Sequence, residues 1–197
     1  MGDRIDDSKY WIQFWDSLRR SIMDIESGYF QVERMDEVNP TWRERVYCYE
    51  LYHQLRHHLP NGFPFTLHGE LDKKGHGIIK DTIKKYRKSE GNTEPNPDFL
   101  VHNPGNLGND LAVIEVKRSE GFAEDACRRD LEKLETFINS LGYLHGIFLV
   151  FGPRDPEPMI ENCLTKEQIT LIKNGRLHIL YHKEAEKCPY EITRLIC

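Results

Sequence analysis

The chain has 197 residues, 39% of them apolar and 30% charged, enough for one globular domain with a substantial core. Its formal net charge of −5 excludes a protein that coats nucleic acid through bulk phosphate neutralisation, though not one that gathers basic residues locally. The longest purely apolar run, 147–151, is far too short to cross a bilayer. The five cysteines stand singly with no C-x-x-C spacing, so reduced thiols and no zinc site are expected. The composition reads as soluble, cytoplasmic and without a membrane role.

In chain order, Trp11, Trp15, Leu18, Ile22 and Ile25 recur at helical spacing, with Asp6, Asp7 and Ser8 as caps. This stripe can pack on the chain's own core or serve a homodimer or protein partner. Residues 1–38 read as a helical decoration on an α/β domain over 39–197, one globular unit in all. Asn39-Pro40 announces a second helix over 41–58 that stops before Pro60. A strand follows over 65–71, then a polar, basic insertion containing Lys80, Lys84, Lys85, Arg87 and Lys88. Runs 99–102 and 111–116 are apolar or β-branched and flank a turn-rich stretch, which predicts a hairpin. Residues 122–141 form an amphipathic helix that points Leu131, Leu134, Phe137, Ile138 and Leu141 inward. Residues 144–151 are a buried strand, 153–158 a proline-rich loop, and 177–182 a last short strand.

A symmetric hairpin would pair residues whose numbers sum to about 213, setting Asp98 opposite Glu115. Lys117, two residues on, shares the face of Glu115. Two carboxylates about 4 Å apart repel by roughly 4 kcal/mol at an effective dielectric of about 20. One must then be protonated, or a cation must sit between them. An all-oxygen site of this kind suits Mg²⁺ or Mn²⁺.

The run Pro97-Asp98 … Glu115-Val116-Lys117 resembles the signature of the PD-(D/E)xK phosphodiesterase superfamily, the restriction-endonuclease-like nucleases. Glu115-Val116-Lys117 is the one Glu-x-Lys triplet in the chain, and it ends an apolar strand as that motif does. The order helix, three strands, helix, strand over roughly 40–152 is similar to the family's core. The resemblance implies a central mixed β-sheet flanked by helices, here with an added N-terminal helix. It also implies metal-dependent hydrolysis of nucleic acid, DNA before RNA. Asp98 and Glu115 would hold the metal, with the Val116 carbonyl completing the shell. Lys117 would orient or deprotonate water, or neutralise transition-state charge. Members with a further glutamate on the first core helix imply Glu50 here, and Glu70 on the strand is the alternative. Arg118, Arg129 and Lys133, with Lys84, Lys85 and Arg87 of the insertion, are the expected phosphate contacts. A catalytically weak or inactive binding or assembly subunit of a larger complex, with the same fold, is the alternative function.

Overall fold

The computed structural model describes residues 7–32, 41–69, 97–103 and 110–192. The N-terminal stripe forms α1 (Asp7–Met23), whose Phe14, Leu18 and Ile22 are fully buried. Trp11 and Trp15, expected at its centre, lie half-buried at the rim, and Phe14 takes the core position. The apolar face is therefore used inside the chain. On its outer side the large exposed hydrophobics are Ile12 and Met23.

A single turn, α2 (Ser27–Phe30), leads to α3 (Glu44–His58). This helix starts later than the sequence suggested because Thr41 is held extended: its backbone exchanges hydrogen bonds with Val32 at 2.9 and 2.7 Å. The cap expected at Asn39-Pro40 lies outside the described residues. Strand β1 (Thr66–His68) is shorter than expected, with residues from 70 onward outside the description. Strands β2 (Phe99–His102) and β3 (Asp110–Arg118) are the hairpin. Helix α4 (Glu124–Ser140) then crosses to β4 (Tyr143–Phe151).

The proline-rich stretch is not wholly loop. Helix α5 (Glu157–Cys163) starts inside it, with Pro158 in the first turn, where a missing N–H removes no helical bond. Helix α6 (Lys166–Lys173) was not expected. Its signal is a capping box, in which Thr165 accepts from the Gln168 N–H and the Gln168 side chain accepts from the Thr165 N–H. Strand β5 (Leu177–His182) and the two-residue β6 (Tyr190–Glu191) complete the chain.

The six strands form one mixed sheet in chain order. β3, β4 and β5 are parallel, and the β1–β2, β2–β3 and β5–β6 pairs are antiparallel. Parallel strands need both faces covered, and β3 buries its first seven residues accordingly. Ala112, Ile114 and Val116 face α1 and α3 with Ile147 and Leu149. Val113 faces α4, α5 and α6 with Phe148 and Val150. Gly146 lets α4 approach β4 closely, since a Cβ there would lie 2.9 Å from Ile138 Cδ1. The architecture is α/β, a six-stranded mixed sheet between two helical layers. Among the described residues no helix is long and apolar enough to cross a membrane.

Candidate functional site

The β2–β3 ladder pairs Phe99 with Ile114, Leu100 with Val113 and Val101 with Ala112, the register expected from the loop. Continued by one residue, it sets Asp98 across from Glu115. By strand alternation Glu115 and Lys117 lie on the α4 side with Val113, while Asp98, just before β2, lines a cavity with residues of α3. Asp98 is anchored by the Val116 N–H, which donates to its Oδ2 at 2.7 Å.

The acidic pair does not stand alone. Glu115 is 1% exposed, and its Oε2 meets the Lys133 ammonium at 2.9 Å. Lys133 also reaches Asp130 Oδ1 at 3.1 Å. Asp130 Oδ2 faces Lys117 Nζ at 3.4 Å, and Lys117 donates to Glu44 Oε1 at 3.2 Å. Asp130, itself buried, thus lies between the two lysines from the inner face of α4. Among the described residues, Asp98 and these three carboxylates, of which Glu44 is partly exposed, stand near two ammonium groups, which leaves two negative charges when all are ionised.

The carboxylates register that imbalance. Burial pushes Asp98 up to about 6, against the Val116 hydrogen bond and the Lys117 charge that favour its ionised form. Burial also holds Glu115 well above the usual carboxylate range, opposed by Lys133 and reinforced by Asp98 and Asp130. For Lys117, burial alone would lower the ammonium's pKa. Asp130, Glu44, Asp98 and Glu115 outweigh it and hold the group above the ordinary lysine range. It is a fixed cation at neutral pH. Cys48, also nearby, is held protonated by burial and by Asp98 and Glu44, so a thiolate nucleophile has no support here.

A dication fits this cluster on two observations: the residual charge, and Glu115 Oε1, a buried oxygen without a hydrogen-bond partner. Among the described residues no three His, Cys, Asp or Glu side chains form a ready ligand set. The side-chain ligands would be Asp98 and Glu115. A strand residue directs its N–H and C=O to the same neighbour, so the Val116 carbonyl points to the Asp98 side as a further oxygen. Mg²⁺ accepts such a shell, keeping several waters beside one or two carboxylates.

The other expected site residues are distributed differently. Glu50 is not brought into the cluster: its Oε1 accepts from Gln54 Nε2 at 2.6 Å, one turn along the helix. Two α3 rows face the cavity, Glu44–Cys48–Tyr52 and Arg45–Tyr49, and Glu50 lies about 200° around the helix from Cys48. Glu44 is the α3 glutamate that meets the site. Lys133, expected on phosphate, gives its ammonium to Glu115 and Asp130. Arg118 donates to the Trp42 carbonyl at 3.4 Å, and Arg129 is exposed on α4. Glu70, Lys84, Lys85 and Arg87 lie outside the described residues, as does the rest of the basic insertion.

Comparison of the chain with protein-family models, curated proteins and solved structures finds no match. The site must be read from its own chemistry. Sequence reasoning missed Asp130 and Glu44. Asp130 had a legible signal: it falls on the apolar row of α4 with Cys127, Leu131 and Leu134, where an acid needs a buried partner. Glu44 had none, because its role depends on where the first turn of α3 ends up against β3.

Proposed function

We propose that the chain is a metal-dependent phosphodiesterase, a nuclease acting on DNA before RNA. The observation that carries this reading is the pairing of Asp98 and Glu115, two carboxylates whose ionised forms burial disfavours, with a permanently charged Lys117 beside them. The succession α3, β1, β2, β3, α4, β4 supports a restriction-endonuclease-like core. The free thiols of Cys48, Cys127, Cys163 and Cys188 support a reducing, cytoplasmic setting.

A bound Mg²⁺ or Mn²⁺ supplies Lewis acidity toward phosphate and lowers the pKa of water. Asp98, fixed by the Val116 N–H, and Glu115 would hold that ion. Lys133 favours the ionised form of Glu115 against burial and orients the side chain from its other oxygen. Lys117 cannot take a proton at neutral pH, so its part is to orient the attacking water and to offset charge building on the phosphate. Asp130 and Glu44 position Lys117 and do not touch the reacting atoms.

One observation favours the second reading, a binding or assembly subunit without activity. Lys133 already neutralises one side of Glu115, as a purely structural ion pair would. Incubating the full chain with linear, circular and single-stranded DNA, and with RNA, in Mg²⁺ or Mn²⁺ separates the two. The nuclease reading expects metal-dependent cleavage that Asp98→Asn abolishes. Intact polymers under every condition would support the second.

A further inference from the structure

Beside Asp98 the surface opens into a cavity of about 660 Å³, within the size range of small-ligand sites. Its wall is aromatic where it leaves the carboxylates: Tyr49, Tyr52 and Phe99 line it, with Arg45 and His68 at the sides. Tyr52 and Phe99 lie nearly parallel, their centroids 6.4 Å apart at 10°. Gly69 covers the Tyr52 ring, since a Cβ there would sit 3.5 Å from it, and the Tyr52 hydroxyl donates to the Leu67 carbonyl at 3.4 Å. This part of the wall is built and rigid.

Tyr49 differs. It is 64% exposed, and it makes no ring contact among the described residues. It lies one helical turn from Arg45, an (i, i+4) pair on α3. A single exposed tyrosine is ordinary on a protein surface. This one lines the same cavity as Asp98, next to a guanidinium.

We propose that the cavity receives one unpaired nucleobase, stacked on Tyr49, so that the substrate is single-stranded or locally unpaired nucleic acid. The proposal deepens the phosphodiesterase reading and rests on it for the position of the phosphate. Every base has a π-face, so an aromatic platform binds without demanding a sequence. In a duplex that face is covered by its neighbours, and a base can lay its face on the Tyr49 ring in the cavity wall only when it is unpaired. Asp98 lies across the same cavity, so a base on Tyr49 brings an adjacent phosphodiester toward the carboxylates.

The test uses the full chain with Ca²⁺ in place of Mg²⁺, and labelled oligonucleotides of one sequence as single-stranded DNA, single-stranded RNA and hairpin duplex. Fluorescence anisotropy gives affinity, and 2-aminopurine quenching reports stacking. The proposal expects either single strand to bind at least about tenfold tighter than duplex. Tyr49→Ala should lose about tenfold in single-strand affinity, within the range for one base–aromatic stack, together with the quenching. Tyr49→Phe should retain both, because the ring and not the hydroxyl is used. The DNA and RNA arms tell which sugar the site prefers. Equal affinity for duplex, unchanged single-strand binding by Tyr49→Ala, or no binding by any polymer overturns the proposal. Tyr49-dependent single-strand binding without cleavage in Mg²⁺ would keep the base site and sink the nuclease reading. Undiminished metal-dependent duplex cleavage by Tyr49→Ala would do the reverse.

Discussion

At the amino ends of β4 and β5, His145 and His178 pack under α1, with the Trp11 ring stacked on His145 at 3.6 Å and 8°. His178 bonds Glu191 at 2.8 Å, and His145 bonds the Gly175 carbonyl at 3.1 Å. Partial burial, with His178 beside it, lowers His145 to about 4, so this half-buried imidazole is neutral at physiological pH. At the carboxyl end of the neighbouring β3 the opposite holds: Glu115 and Asp130 are buried with lysines that balance only part of the negative charge. One end removes charge by leaving an imidazole unprotonated; the other crowds carboxylates whose ionised forms the lysines offset only in part, so that they hold protons a cation could displace. A folded chain that retains unbalanced buried charge gives up stability locally, which is the usual mark of a site.

The pH dependence of stability carries the contrast. The folded pKa of His145 is depressed, so the unfolded chain binds the extra proton and stability falls as pH drops from 6.5 toward 4. The folded pKa of Asp98 is raised, so the folded chain binds the extra proton and stability rises as pH drops from about 6 toward the ordinary aspartate value. The two ends oppose each other in nearly the same window.

Substitutions can break or sharpen that comparison. The largest effect is on activity. Lys117→Ala should reduce cleavage by a factor on the order of 10²–10⁴ while leaving metal affinity in place; near-normal turnover would make Lys117 a structural charge. Next comes Lys133→Met, which strands Glu115 in a buried position. Without metal it should destabilise the fold by about 3–5 kcal/mol in denaturant titration, with added Mg²⁺ recovering part of the loss. A loss under about 1 kcal/mol would instead fit an exposed phosphate contact.

Asp98→Asn keeps an oxygen for the Val116 N–H and removes the buried charge. Metal-free, it should be more stable than the parent by on the order of 1–3 kcal/mol at pH 8, with the difference vanishing near pH 4. A destabilised variant at pH 8 would mean that Lys117 and Lys133 already overcompensate the carboxylate. The smallest effect belongs to the other end. Glu191→Gln trims a partly exposed partner of His178, and thermal unfolding should shift by less than about 1 kcal/mol with metal affinity unchanged.

These sites differed in how legible they were in the sequence. The hairpin was readable because a dense cluster of turn formers between two apolar runs fixes a register, and the register fixes which side chains face each other. The helix stripe of α4 and the buried strands β4 and β5 were readable from periodicity. Glu50 was misplaced because the faces of α3 are nearly balanced: Tyr47, Leu51 and Leu55 are buried, yet the cavity rows Glu44–Cys48–Tyr52 and Arg45–Tyr49 carry no pattern that separates them from their neighbours. Lys133 read as a surface cation because its partner is contributed by another element. Long-range ion pairs have no local signature, and only the crossing of α4 over β3 creates this one.

The central claim is that the Asp98–Glu115 cluster lacks a dication's worth of charge. Isothermal titration of Mn²⁺ into the full chain at pH 6, in two buffers of different ionisation enthalpy, tests it directly. Binding should occur near one ion per chain with net proton release, because ions compete with protons held on the raised carboxylates. The heat should disappear in Asp98→Asn. An isotherm unchanged by that substitution, or no binding by the parent chain, would contradict the account.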